Sequence, residues 1–274
     1  MFDSHYQNLS AENPEWGRVA TLPWDAEIFG FPVGDYEAGD AAAIARNLDA
    51  FRAQFNQWAA ANQVEIVHCT VPATNQPWYT LLPALGFAFV DYTLKIYTKS
   101  LHTAVIPMNK IPVRLADARD QESVERIAEQ AFRAGRYYAD PLFPKRLVEI
   151  RYRRWLANAF AALGDNSRLY VTGEVGNVTS FFHITREREE AYITIIAVEP
   201  TRHGSTIGVE LCAGVLRDLQ ASGIKRMSSK ISALNSGVMN FVNYYGWRFG
   251  NPQVAFHWHA SDAPHLNSWD SIFV

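Results

Sequence analysis

The chain repeats itself at a distance. VEIVHCTVPATN (64–75) and IKRMSSKISALN (224–235) stand 160 residues apart. With no gap, the same offset carries Asn75 onto Asn235, Gly86-Phe87 onto Gly246-Trp247, and Leu94 and Ile96 onto Val254 and Phe256. Each copy reads as a strand, an asparagine loop, a short helix, a glycine–aromatic pair and a second strand. Self-similarity at a fixed offset predicts two related units and constrains the fold before any motif is considered. The 274 residues are enough for two small domains. Hydrophobic residues make up 48% and charged residues 19%, which supplies real cores and excludes a disordered chain. The boundary is placed at 105/106, inside KSLHTAVIPMNKI (99–111), which has little periodicity and carries Pro107.

In the first unit, LPWDAEIFGFPVGDY (22–36) is dense in aromatics and glycine and reads as a packed strand and turn. Asp40 is expected to cap a helix running to Asn62, with Ile44, Leu48, Phe51, Phe55 and Trp58 on one face. The second unit opens with a strand at 112–115 and a helix for which Asp120 is the expected N-cap. The loop RAGRYYADPLF leads to Pro144 at the first position of a helix ending near 161. Two strands follow, 168–172 and 178–185, joined at Gly176-Asn177.

What the second unit has and the first lacks is the stretch AYITIIAVEPTRHGSTIGVELCAGVLRDLQASG (191–223). It predicts a strand from Tyr192 to Val198, a turn at Pro200, a loop with Gly204 and Gly208, and a helix with Ile207, Leu211 and Val215 on one face. Gly223 stands where a left-handed C-terminal cap belongs. A strand feeding a glycine loop that opens a helix is a place to hold phosphate: first-turn amides lack intrahelical partners, and the helix dipole favours an anion there.

Other features exclude function classes. A net charge of −3 argues against nucleic-acid binding. Cys69 and Cys212 lie far apart in apolar segments and read as core thiols in a reducing compartment. His257 and His259 alternate along a late strand and read as one face of it, so no metal is expected. No apolar run is long enough to span a membrane, and no basic or apolar leader opens the chain. The expected location is the cytoplasm.

The order of elements in residues 106–274 resembles the GCN5-related N-acetyltransferase (GNAT) family of acyl-CoA-dependent N-acyltransferases. The residues that carry the likeness are Ile196-Ala197-Val198-Glu199-Pro200, the loop His203-Gly204-Ser205-Thr206-Ile207-Gly208, and Asn235 followed by Gly246-Trp247. The whole chain is similar to the two-domain branch typified by dTDP-fucosamine (dTDP-4-amino-4,6-dideoxygalactose) acetyltransferases. Trp24-Asp25 with Phe29-Gly30-Phe31, and Arg136-Tyr137-Tyr138 with Asp140-Pro141, match that branch. The resemblance implies an α/β (α+β) fold, with a mixed, mostly antiparallel sheet flanked by helices and a smaller related N-terminal αβ domain in residues 1–105. It implies acetyl-CoA as co-substrate, bound by Ile196, Ala197, Val198, His203, Gly204, Ser205, Thr206, Ile207, Gly208 and Asn235. It implies a small-molecule amine as acceptor, an amino sugar on a nucleotide carrier among the candidates, held by Arg136, Tyr137 and Asp140. No nucleic acid, no membrane and no metal enter the scheme, and a homodimer is compatible with it.

Two departures stand out. Thr206 replaces the middle glycine of the family loop, where backbone must approach a pyrophosphate closely. Val242 occupies the position seven residues after the motif asparagine, where the family commonly places a tyrosine that protonates the leaving thiolate. Tyr245, three residues on, is the nearest replacement acid, and a core aromatic is the other reading. For the base, Glu190, Tyr192 and a water near Thr194 stand open. These departures also keep a second function in view: a degenerate relative that binds CoA or a nucleotide sugar as a regulatory or scaffold module.

Overall fold

The computed structural model describes residues 5–261. In chain order the elements are β1 (Gln7–Asn8), β2 (Gly17–Thr21), α1 (Pro23–Phe29), β3 (Val33–Ala38), α2 (Ala41–Arg46), α3 (Leu48–Ala61), β4 (Ile66–Pro72), α4 (Trp78–Ala84) and β5 (Ala88–Tyr97). Then come β6 (Arg114–Leu115), α5 (Gln121–Ala131), α6 (Arg136–Ala139), α7 (Lys145–Ala161), β7 (Ser167–Glu174), β8 (Asn177–Glu187) and β9 (Glu190–Val198). The chain closes with α8 (Ile207–Ala221), β10 (Arg226–Ser232), α9 (Ser236–Tyr244) and β11 (Arg248–His259). No helix among the described residues is long and apolar enough to cross a membrane.

The chain packs as two compact units. One comprises residues up to Thr93, Ala134–Leu147 and residues from Asn251 on; the other comprises Leu94–Arg133 and Val148–Gly250. The sequence reading divides the chain at 105/106 into consecutive halves. The compact units are interleaved, and β5, α7 and β11 each contribute residues to both. Residues 262–274 of the expected second half lie outside the described residues.

In the first unit the strand order is β1-β2-β3-β4-β11. The pairing is antiparallel except for β3 with β4, which run parallel from Val33↔Ile66 to Tyr36↔Cys69. Phe51, Phe55, Trp58 and Ala59 of α3 recur on one helix face and are buried with Tyr36, Trp78, Phe87 and Phe256. A fully buried aromatic such as Phe51 stabilises by about 3–5 kcal/mol relative to alanine. Asp40 caps as expected: its Oδ1 accepts from the amides of Ala42 at 2.8 Å and Ala43 at 3.2 Å. The single helix expected from 40 to 62 is two. Asn47, at φ −132°, ends α2 and opens α3, and its side-chain amide reaches back to the Ala43 carbonyl.

In the second unit the order is β10-β9-β8-β7-β6, antiparallel except for β9 with β10. The two parallel pairs within a mostly antiparallel arrangement match the expected fold class. Leu211, Cys212, Val215, Leu216 and Leu219 of α8 pack on Phe182, Ile184 and Ile193. On the other face, Val124 and Ile127 of α5 and Leu156 of α7 pack on Phe181, Ile195 and Ala197. Cys69 and Cys212 are both buried free thiols. The cap on this face differs from expectation. Asp120 does stand at the N-cap position of α5 but makes no side-chain capping bond there; Asp117 caps the short turn before it. The Asp120 carboxylate instead takes a two-pronged bond from Arg114 (2.6 and 2.8 Å) and the amides of Asp117 and Gly176. A buried carboxylate needs such partners, and a guanidinium with two amides satisfies it better than a helix end alone.

The sequence repeat is a structural repeat at the helix exits, although Asn235 caps α9 with its side chain and Asn75 does not cap α4. Leu85 and Tyr245 donate to the carbonyls of Leu81 and Phe241, Gly86 and Gly246 to those of Pro83 and Asn243, and Phe87 and Trp247 to those of Leu82 and Val242. Gly86 (φ +88°) and Gly246 (φ +64°) both adopt the left-handed backbone that lets the helix end and the next strand begin.

Candidate functional site

The second unit contains a break in its sheet. β9 and β10 pair only over Glu190–Tyr192 with Arg226–Ser228, although both strands continue, to Val198 and Ser232. The cause lies on the other edge of β9. Ile193 faces Ile184 and Ile195 faces His183, so Thr194 is an extra residue with no partner on β8. A bulge of this kind bends its strand and sharpens the twist. It also reverses which side chains face which layer. Ala191 and Ile193 pack under α8, whereas Ile195 and Ala197 pack under α5 and α7. The opening leaves backbone donors and acceptors along Thr194–Val198 without ladder partners on β10.

Polar side chains fix the point of divergence from both sides. Ser229 of β10 donates to the Ile193 carbonyl at 2.8 Å. His183 of β8 meets the Thr194 hydroxyl through Nδ1 at 2.5 Å, and its Nε2 lies 2.9 Å from the Ser167 hydroxyl. Burial pushes the His183 imidazole down to about 4, so it is neutral at pH 7. The sequence reading missed His183. The one signal was a histidine in the apolar run VTSFFHI, where a buried polar ring needs partners.

The diverging strand leads into the glycine loop. A 3-10 turn at Pro200–Arg202 uses the amides of His203 and Ser205, which donate to the carbonyls of Pro200 and Arg202. That leaves the amides of Gly204, Thr206, Ile207, Gly208 and Val209 without a backbone partner among the described residues, that of Ile207 meeting the Ser205 hydroxyl at 3.4 Å; of the expected 203–208 run, His203 and Ser205 are engaged. The His203 ring turns back to the Val198 carbonyl at 3.1 Å. Thr206, exposed, sits at the N-cap of α8, and its hydroxyl makes no capping bond. The contrast with α2 is chemical: Asp40 supplies that helix end with its own anion, whereas α8 offers its end to solvent. Gly204 has φ +83°, and a Cβ built there meets nothing within 4 Å, so the backbone conformation rather than space requires glycine.

Other expected residues are placed as follows. Ile196 and Val198 are half-buried and Ala197 is buried along the open edge. Asn235 caps α9 through Oδ1 and the Val238 amide at 3.0 Å. Val242 is fully buried in the core. The Tyr245 hydroxyl donates to the Val209 carbonyl at 2.6 Å, and its ring packs on Phe241 and Tyr244. Burial, with Cys212 beside it, raises that phenol well above its ordinary range, which makes it a reluctant proton donor. Glu190 is ion-paired to Arg226 at the closed end of the β9–β10 pair. It lies four residues before Thr194, about 13 Å along the strand. Lys95, Tyr97 and Ser228 share a shallow depression with that pair. Tyr192 lies beside Ser229 and the Lys230 amide, and burial raises its phenol.

Arg136, Tyr137 and Asp140 belong to the first unit. Tyr137 is buried against Phe29, Phe143 and His68, with ring centroids 4.9–5.2 Å apart. Arg136 is half-buried and covers the Tyr137 ring. Asp140 is 2% exposed. Its Oδ1 accepts from the Leu142 amide at 2.9 Å, and its Oδ2 meets His257 Nδ1 at 2.6 Å and His259 Nε2 at 2.8 Å. Burial pushes that carboxyl up, but the two imidazoles more than offset it and hold it well below the usual carboxylate range. Burial also takes His257 down to about 4 against the pull of Asp140. Tyr137 and Asp140, expected at an acceptor, are therefore committed to internal packing and hydrogen bonding.

No protein-family model matches the sequence, and no curated protein does. Solved structures do match. A GCN5-related N-acetyltransferase from Sphaerobacter thermophilus superposes over 89% of this chain and 76% of its own, with a TM-score of 0.64 at 14% identity. A tandem GNAT protein from the clavulanic acid biosynthesis pathway covers 90% of this chain and 80% of its own, with a TM-score of 0.55 at 15% identity. A GCN5-related N-acetyltransferase from Kribbella flavida covers 88% and 86%, with a TM-score of 0.55 at 11% identity. The fold is that of the GCN5-related N-acetyltransferases. The break beside β9 and the uncapped end of α8 both lie in the second unit.

Proposed function

We propose that the chain is an N-acetyltransferase that moves the acetyl group of acetyl-CoA to a primary amine, with an amino sugar on a nucleotide carrier as the acceptor class. The observation that carries this reading is the continuous path from the β9–β10 divergence at Thr194 to the uncapped α8 N-terminus. The CoA pyrophosphate takes the free amides of Gly204, Thr206 and Gly208. The pantetheine arm pairs with the open edge at Ile196–Val198. An amide freed by the bulge polarises the thioester carbonyl, a contribution of about 3 kcal/mol. Juxtaposition of amine and thioester supplies much of the remainder. The amine nitrogen bonds to the acetyl carbon, the C–S bond breaks, and CoA leaves as a thiolate. The amine's proton passes to solvent through a water held at the Thr194 hydroxyl, which the neutral His183 ring positions, whereas Glu190 lies at the closed end of the strand pair. With a thiol pKa of about 8.5, the thiolate departs without an obligatory acid. Tyr137 and Asp140 are assigned no acceptor contact.

A second reading is favoured by one observation. Val242 is a fully buried valine where the related enzymes carry a proton donor, and the Tyr245 hydroxyl is engaged by Val209. A module that binds CoA or a nucleotide sugar without turnover would have this appearance. The test is thiol release from acetyl-CoA against a panel of amino sugars and simple amines, alongside calorimetry with CoA. Amine-dependent thiol release supports the enzyme. Heat of binding with no turnover, in the wild type and in Val242→Tyr, supports the module. No heat at millimolar CoA removes the enzyme and the CoA-binding form of the module.

A further inference from the structure

We propose that Asp140, His257 and His259 form a binding site for a divalent cation of the zinc class in the first unit. Their three donor atoms lie within 4.8 Å of one another. The arrangement is built, not incidental. His257 and His259 stand two apart on β11, so both imidazoles leave the same face of the strand. Asp140 closes α6, and the Leu142 amide holds its Oδ1, which aims Oδ2 at the two rings. Both histidines converge on that one oxygen. Tyr137 packs on His257, with ring centroids 5.6 Å apart, while His259 is partly exposed.

Two imidazoles and one carboxylate are a borderline-soft donor set. They suit zinc and its neighbours, whereas calcium and magnesium require several oxygen ligands. Donor atoms around a tetrahedral zinc at about 2.1 Å sit roughly 3.4 Å apart. The present Asp–His separations, 2.6 and 2.8 Å, open toward that spacing when the ion enters, and the two imidazole nitrogens already lie within 4.8 Å of each other. Ion entry exchanges two N–H···O bonds for N–metal bonds. In each ring the proton moves to the other nitrogen, and for His257 that is Nε2, a buried atom with no hydrogen-bond partner among the described residues. Three protein ligands leave a fourth position open, as in sites where zinc binds water or substrate. Two cations face the cluster. Lys145 gives its ammonium to the carbonyls of Tyr138 and Asp140, and the Arg136 charge acts on His257. They favour a site of modest affinity that a single carboxylate still neutralises in part. None of its residues belongs to the cleft beside β9.

The test uses the full-length, untagged chain purified without chelator. Elemental analysis of protein equilibrated with micromolar zinc is expected to find close to one zinc per chain, and the EDTA-stripped protein is expected to take up cobalt(II) with ligand-field absorption. Asp140→Asn and His259→Gln are expected to weaken zinc binding about tenfold or more, and His203→Gln, at an exposed position, to leave it unchanged. Should either cluster variant fail to fold, the cobalt spectrum and zinc calorimetry of the wild type decide the matter. Absence of zinc from the isolated protein together with no uptake at micromolar metal would overturn the assignment, as would equal uptake by wild type and folded variants.

Discussion

Replacing His183 offers a sharp test of how the cleft is held. The imidazole is 4% exposed and lowered from 6.5 to about 4 by burial. A shift of that size corresponds to about 3 kcal/mol between its two protonation states. The sign follows from linkage. Above pH 6.5 neither folded nor unfolded chain protonates the ring. As pH falls toward 4 the unfolded chain binds a proton that the folded chain refuses, so stability present above 6.5 is lost across that window. Between pH 7.5 and 4.5 this one residue removes about 2.5 kcal/mol. His183→Asn keeps an amide nitrogen for Thr194 but cannot titrate. Urea unfolding of both proteins at the two pH values reads the difference. The variant is expected to lose less stability on acidification by about 2.5 kcal/mol, whatever its stability at neutral pH. His257 is lowered in the same direction, but it is common to both proteins and cancels. Equal acid-induced losses would refute the claim that His183 is buried and neutral between Ser167 and Thr194.

Three further outcomes are expected. Tyr245→Phe breaks the bond to Val209 and lowers stability by about 1 kcal/mol, with thiol-release turnover changed less than about threefold; a loss of ten- to a thousandfold would return the phenol to the chemistry. Thr206→Gly removes the Cβ at the α8 entrance and is expected to tighten CoA binding by calorimetry; unchanged affinity would place the pyrophosphate elsewhere. Asp120→Asn leaves the partly buried Arg114 without its carboxylate and is expected to destabilise by about 3 kcal/mol at pH 7. The Arg114 hydrogen bonds hold the Asp120 carboxyl at about 2, so its stabilisation is complete above 3.8 and vanishes as pH falls through 2. Guanidinium-chloride melts of both proteins at pH 7 and pH 2.5 should show the gap closing.

Much of the architecture was legible locally. A period of three or four residues marked α3 and α8, Asp40 marked a helix start, and the offset of 160 marked two copies of one unit, later matched at the helix exits. Such signals are local because helix faces, caps and glycine turns are set by neighbours in sequence. The Asn47 break was less visible, since asparagine within a periodic run is common, and one partner of the Asp120 carboxylate, the Gly176 amide, is 56 residues away in sequence.

The chain by itself, then, determined its repeated strand–helix units, the glycine loop at 203–208 and the open helix end that follows it. Only the folded arrangement decided that Thr194 is the extra residue parting β9 from β10, that His183 meets it, and that Asp140 gathers His257 and His259 from 117 and 119 residues away. The physical reason is register. A bulge exists only relative to the strand beside it, and a buried carboxylate chooses its partners from whatever topology brings within hydrogen-bond reach.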